Sequence, residues 1–128
     1  MKLLLDTHIW IWLLQSPEQL GSRTRQELAN KSNELWVSPV STWEALMLHR
    51  KRRIKLSPDF LAWLQQSTPG FRMAPFTHEI VLAAENLDLH PDAADRFLAA
   101  TAQVLDLTLV TADQRLLGLG TIRTMANR

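Results

Sequence analysis

Short apolar runs that halt at a polar residue and turn at once into helical spacing constrain this chain more than any other feature. Residues 2–5 end at Asp6, and 8–15 follow with helical character. The runs at 35–38, 71–76 and 108–111 lead in the same way to helices at 41–53, 77–87 and 113–117. Further helices are expected at 19–31 behind Ser16-Pro17-Glu18, at 57–66 behind Ser57-Pro58-Asp59, and at 93–105 behind a loop at His90-Pro91-Asp92. A fifth strand fits 121–125. Strands that alternate with helices form a parallel sheet covered on both faces, joined by right-handed crossovers. With 128 residues, no repeat and no linker, the reading is one α/β domain spanning 1–128.

The charge balance excludes bulk electrostatics as a means of holding nucleic acid, because 14 basic side chains face 13 acidic ones. A local patch is needed instead, and Arg50, Lys51, Arg52 and Arg53, flanked by His49 and Lys55, form the one dense basic run. It reads either as a phosphate-tracking surface or as cations gathered at a helix C-terminus. The absence of cysteine rules out disulfides and thiolate metal sites and fits a cytoplasmic setting. Asp6 and His8 interrupt the apolar N-terminus too early for a signal peptide or a membrane span. Of the five tryptophans, Trp10 and Trp12 lie on a helix that is apolar almost all round, and Trp43 and Trp63 fall at core-like spacing. Core or partner interface is preferred to base stacking. The first helix and the Trp63 region are candidate contact surfaces.

Four acids break the hydrophobic pattern. Asp6 ends the first strand, Glu44 sits among Val40, Ser41, Met47 and Leu48 on a helix, Asp95 lies before Phe97, Leu98 and Ala99, and Asp113 follows the fourth strand. Each has an ordinary explanation as a cap or a first-turn acid, with Asp92 capping the helix of Asp95. Taken together they fall near the carboxyl ends of strands, the edge where open α/β sheets bind ligands. Clustered carboxylates repel one another, and the usual remedy is a hard divalent cation. Oxygen-only donors favour Mg²⁺ or Mn²⁺ over Zn²⁺, and His8, His49, His78 and His90 lack ligand spacing. Such a cage performs phosphodiester chemistry.

The segments Leu4-Leu5-Asp6-Thr7-His8, Ser41-Thr42-Trp43-Glu44, Asp95-Arg96-Phe97-Leu98-Ala99-Ala100-Thr101-Ala102 and Leu109-Val110-Thr111-Ala112-Asp113 resemble, in that order, the PIN-domain toxins of the VapC type. The resemblance implies a three-layer α/β/α sandwich with strand order 3-2-1-4-5. It also implies a Mg²⁺- or Mn²⁺-dependent endoribonuclease, the toxin of a toxin–antitoxin pair, with Asp6, Glu44 and Asp95 as its acids. Dimerisation and inhibition by a cognate antitoxin would follow. Asp113 takes the fourth, more variable position, with Thr7, Thr111 and Asp92 in support. A receiver domain would need an acidic pair at the first strand and a late lysine, and a dehalogenase-like phosphatase a second aspartate where His8 stands. A nucleotide-binding module would need a glycine-rich loop after the first strand. The remaining alternative is a PIN-like binding module that has lost catalysis but still meets RNA or an antitoxin-like protein.

Overall fold

Side-chain alternation along the strands decides the layering. Leu3 and Leu5 of β1 (Lys2–Leu5) pack into one core with Val110, while Leu4 packs into a second core with Leu109. A strand apolar on both sides must be covered on both sides. The structure, a computed structural model, describes residues 1–66, 68–89 and 92–128; His90 and Pro91 of the expected loop lie outside the described residues. β1 is joined in one parallel sheet by β2 (Glu34–Val37), β3 (Arg72–Met73), β4 (Thr108–Thr111) and β5 (Arg123–Ala126), in the order β3-β2-β1-β4-β5. The fold is therefore the three-layer sandwich that the sequence implies.

One layer contains α1 (Thr7–Gln15), α2 (Ser22–Ala29), α3 (Pro39–Arg50) and α4 (Pro58–Leu64). Ile9, Trp10, Ala45 and Phe60 from this group fill the core shared with Leu3 and Leu5. The other layer contains α5 (His78–Glu85), α6 (Ala93–Leu105) and α7 (Gln114–Leu117), whose Ile80, Leu98 and Leu116 close over Leu4 and Leu109. Arg96 couples two of these helices. Its guanidinium donates to the carbonyls of Ala84, Leu87 and Leu89 at 2.7, 3.1 and 2.6 Å, so it satisfies the exposed end of α5 and fixes the start of α6.

Several expected boundaries move for local reasons. The helix expected at 19–31 is a 3-10 turn at Pro17–Gln19 followed by α2. The break falls at Gly21, where a Cβ would collide with the backbone of Arg128. The strand expected at 71–76 pairs only at Arg72 and Met73, since Pro75 has no amide to donate to a ladder. β2 stops at Val37, one residue short of the expected end, because Ser38 leaves the ladder to cap α3 through Val40 N. α3 stops at Arg50 rather than at 53. Arg52 is left-handed (φ 59°), and Arg52 N and Arg53 N close the helix onto the carbonyls of His49 and Leu48. Trp43, expected at core spacing, is 58 % exposed, because α3 turns Val40, Ser41 and Ala45 inward instead. Trp10 is fully buried, while Trp63 packs beside it with Phe60 and Phe71 but stays half-buried, so Trp12 and Trp63 are what remains exposed of the expected aromatic contact surface.

Replacing Arg96 by Met keeps the apolar stem but strands several helix-end carbonyls. We expect a loss of about 2–3 kcal/mol of unfolding free energy, read from the urea midpoint at unchanged slope.

Candidate active site

Three helix N-termini and two strand ends meet at the carboxyl edge of the sheet. Asp6 directly follows β1 and accepts the Thr7 amide at 2.7 Å through Oδ1, which makes it the N-cap of α1. Its other oxygen, Oδ2, accepts the Thr111 hydroxyl at 2.6 Å from the end of β4. Thr111 Oγ1 in turn accepts the Asp113 amide at 3.0 Å, so a single hydroxyl ties together the two strand ends that flank the switch in strand order. Asp6 is 8 % exposed and Thr111 is fully buried. The capping role and the site role of Asp6 are thus compatible, since each uses a different carboxylate oxygen.

Glu44 sits in the second turn of α3, half-buried, between the buried Ser41 and the exposed Trp43. The Thr7 hydroxyl shares a 3.0 Å hydrogen bond with Ser41 Oγ and also favours the ionised Glu44 carboxylate, so α1 and α3 are stitched together beside the acids. Asp92 caps α6 by accepting the Asp95 amide at 3.0 Å. Asp95 occupies the third residue of α6, half-buried, where the helix dipole offsets part of its charge. Asp113 caps α7 through the Arg115 amide at 2.8 Å and pairs with the Arg115 guanidinium at 3.2 Å.

The electrostatics show that these side chains share one region. Burial raises the Asp6 carboxyl, against the pull of Thr111 and the Thr7 amide. Burial also raises Glu44, with Asp6 and Asp92 adding repulsion. Asp95 is pushed up to about 7 by burial and then by the charges of Asp6, Asp92, Asp113 and Glu44. Asp113 differs. Burial raises it slightly, but the bonds from Arg115 outweigh that and hold it below the usual carboxylate range. The fold sets Asp95 within electrostatic range of Asp6, Glu44 and Asp113, while Asp113 is occupied by its own arginine.

Whether these residues suit a divalent cation is a question of donor type, charge and spacing. The donors are all carboxylate oxygens, and their mutual repulsion is what a hard cation relieves. Yet among the described residues no three carboxylates or imidazoles converge on one point as a finished cage. The donor set therefore fits a metal in kind and charge.

His8 lacks metal-ligand spacing in the sequence. It is exposed on the first turn of α1, against the Trp12 ring (centroids 5.7 Å apart), and its charge acts on both Asp6 and Glu44. Its place two residues after Asp6 is the only signal the sequence offered. The basic residues Arg50, Lys51, Arg52 and Arg53 are exposed at the opposite end of α3 and do not join the acids. A hollow of about 840 Å³ lined by Arg23, Glu27, Thr124 and Arg128 contains none of the four acids either. No helix among the described residues is long and apolar enough to cross a membrane.

Comparison with known proteins agrees with this fold. The sequence profile of the PIN domain matches residues 3–120. Ribonuclease VapC22 of Mycobacterium tuberculosis is 34% identical over 115 residues, covering 88% of each chain. Among solved structures, VapBC2 from Rickettsia felis bound to a promoter DNA fragment superposes with a TM-score of 0.74 at 16% identity over 98% of both chains. DNA-bound VapBC from Salmonella typhimurium gives 0.71 at 18% identity, covering 100% of this chain and 99% of that one. FitAcB from Neisseria gonorrhoeae gives 0.70 at 22%, covering 96% of both. At these identities the structural matches speak for the fold.

The raised Asp95 has a consequence for stability. Its unfolded value is 3.8 and its folded value about 7, so the folded chain holds an extra proton between them, and stability falls as pH rises through that window. Asp95→Asn removes the repulsion and keeps the shape. After discounting for solvent around a half-exposed group, we expect the variant to gain about 1 kcal/mol, or roughly 3 °C in melting temperature, at pH 8 in chelator. The gain should vanish near pH 4 in paired thermal melts.

Proposed function

This chain belongs to the PIN-domain family, and from that premise we propose that it is a metal-dependent endoribonuclease, the toxin half of a toxin–antitoxin pair. One observation carries the catalytic part: Asp6, Glu44, Asp95 and Asp113, far apart in sequence, share one electrostatic region at the carboxyl edge of the sheet. The identity to a protein named as a ribonuclease supports the substrate class. The VapBC structures support an antitoxin partner. Homodimerisation is carried over from the resemblance alone.

The choice of Mg²⁺ or Mn²⁺ rests on donor chemistry. RNA is a polyanion, and an uncompensated ring of carboxylates repels it. Asp6, Glu44 and Asp95 would hold the ion, with Asp113 at its margin. Bound there, the ion supplies an activated water and neutralises charge building on the phosphodiester.

The chain's own residues do the positioning. Thr111 and the Thr7 amide fix both oxygens of Asp6, so one donor stands in place before anything binds. The raised Asp95 exchanges a proton near neutral pH. Arg115 keeps Asp113 ionised and capped, which holds the β4 end firm behind the site.

The test is cleavage of a structured RNA by purified protein, with and without Mn²⁺, beside Asp6→Asn. The proposal expects metal-dependent cleavage that falls at least about a hundredfold in the variant, several kcal/mol of transition-state stabilisation. Equal behaviour of the two proteins would leave the catalytically inactive binding module as the surviving reading.

A further inference from the structure

The acids explain one end of α3, but the densest positive charge in the chain lies at the other. Beyond Arg50 the helix closes through the left-handed Arg52, and the segment turns back past Lys55. This return is held by neutral hydrogen bonds. Leu56 N donates to His49 Nδ1 at 3.0 Å, Gln15 Nε2 donates to the Lys55 carbonyl at 2.8 Å, and Ser57 N donates to Gln15 Oε1 at 3.1 Å. Leu56 is buried beneath it. The loop is therefore anchored independently of its charges.

Those charges are not used within the molecule. Arg72, Arg115 and Arg123 each pair with an acid, at Glu34, Asp113 and Asp106. Among the described residues, Arg50, Lys51, Arg52, Arg53 and Lys55 pair with none, and all five are exposed. A hollow of about 310 Å³ opens between His49, Arg52, Arg53, Ile54 and Lys55. Because His49 Nδ1 accepts the Leu56 amide, the ring's Nε2 carries the proton and is a donor. The hollow is thus lined by donors and cations with no carboxylate among them.

The position relative to the acids follows from helix geometry. Lys51 comes seven residues after Glu44, two turns on, so the two share a helix face about 10 Å apart along the axis. We propose that this loop is an anchoring site for the RNA phosphate backbone, a short stretch of strand away from the bond that the acidic edge cleaves. The inference rests on the ribonuclease reading. It adds a binding site that the acids themselves, being repulsive to phosphate, do not provide.

The test uses Arg52→Gln, Arg53→Gln and Lys55→Gln together. The residues are exposed, so the melting temperature should not move. Binding of a long single-stranded RNA is followed by fluorescence anisotropy in chelator across a salt series, and cleavage of that RNA and of a trinucleotide is followed in Mn²⁺. The slope of log affinity against log salt should fall by about two, with affinity down at least tenfold at low salt. KM for the long RNA should rise by a similar factor at unchanged kcat, while trinucleotide cleavage stays the same. An unaltered salt slope and KM in a variant that still cleaves would overturn the anchor and leave the ribonuclease reading intact. Failure of the wild type to cleave either RNA would remove that reading, and the anisotropy series would still decide the anchor. Loss of polyglutamate binding with RNA binding retained would make the loop a protein-docking surface and also overturn the proposal.

Discussion

The buried carboxylate of Asp6 is the fixed point of this architecture. A carboxylate taken out of water is tolerated only when donors replace the lost hydration. Here the donors come from two directions, the first amide of α1 and the hydroxyl at the end of β4. The hydroxyl is in place only when β1 and β4 are neighbours in register, as the pairing of Leu5 with Val110 makes them, whereas the amide belongs to the next residue along the chain. The hydrogen bond from Asp6 N to the Val110 carbonyl carries the ladder one residue past the strand end. Sheet order, helix cap and acid orientation are consequences of the same few bonds.

From that point outward the site trades stability for charge. Glu44 and Asp95 are half-buried, and their carboxyls rise through burial and through repulsion by Asp6. A fold selected for stability alone would place leucine or alanine at such positions. The surrounding structure offsets the cost with firm packing beneath the site. Leu98, Ala99 and Ala102 bury the body of α6, and Arg96 fastens its first turn to the end of α5. The repulsion among these acids is what a ligand of opposite charge would relieve.

What the sequence made legible follows from how local each signal is. The βα alternation, the caps at Asp6, Asp92 and Asp113, and the inward turn of Glu44 all depend on neighbours within about four residues, the range of helix geometry and capping. Those readings carry the sheet and the gathering of the acids. Trp43 misled because its spacing fits a helical stripe without saying which stripe faces in; Val40, Ser41 and Ala45 settle that through contacts with α1 and α6. The break at Gly21 was invisible because its cause, the backbone of Arg128, lies at the other end of the chain. His8 was passed over for a similar reason. Its relation to Glu44 exists only once α1 and α3 are packed side by side.

The near balance of 14 basic and 13 acidic side chains conceals a division that matters more than the total. Phosphodiester chemistry of the metal type calls for carboxylates at the reacting centre, yet carboxylates drive the substrate away. Spreading positive charge evenly would neutralise the centre through ion pairs, as Arg115 does to Asp113. Separating the charges along one rigid element avoids this. α3 carries Glu44 at its middle and leads into the unpaired cations at its close, so the two regions keep a set distance of the order of 10 Å. At that separation the direct interaction between opposite charges is already weakened by physiological salt, whose screening length is about 8 Å. A strand of phosphates long enough to span both ends meets attraction at one and chemistry at the other, which a chain with its charges mixed would not offer.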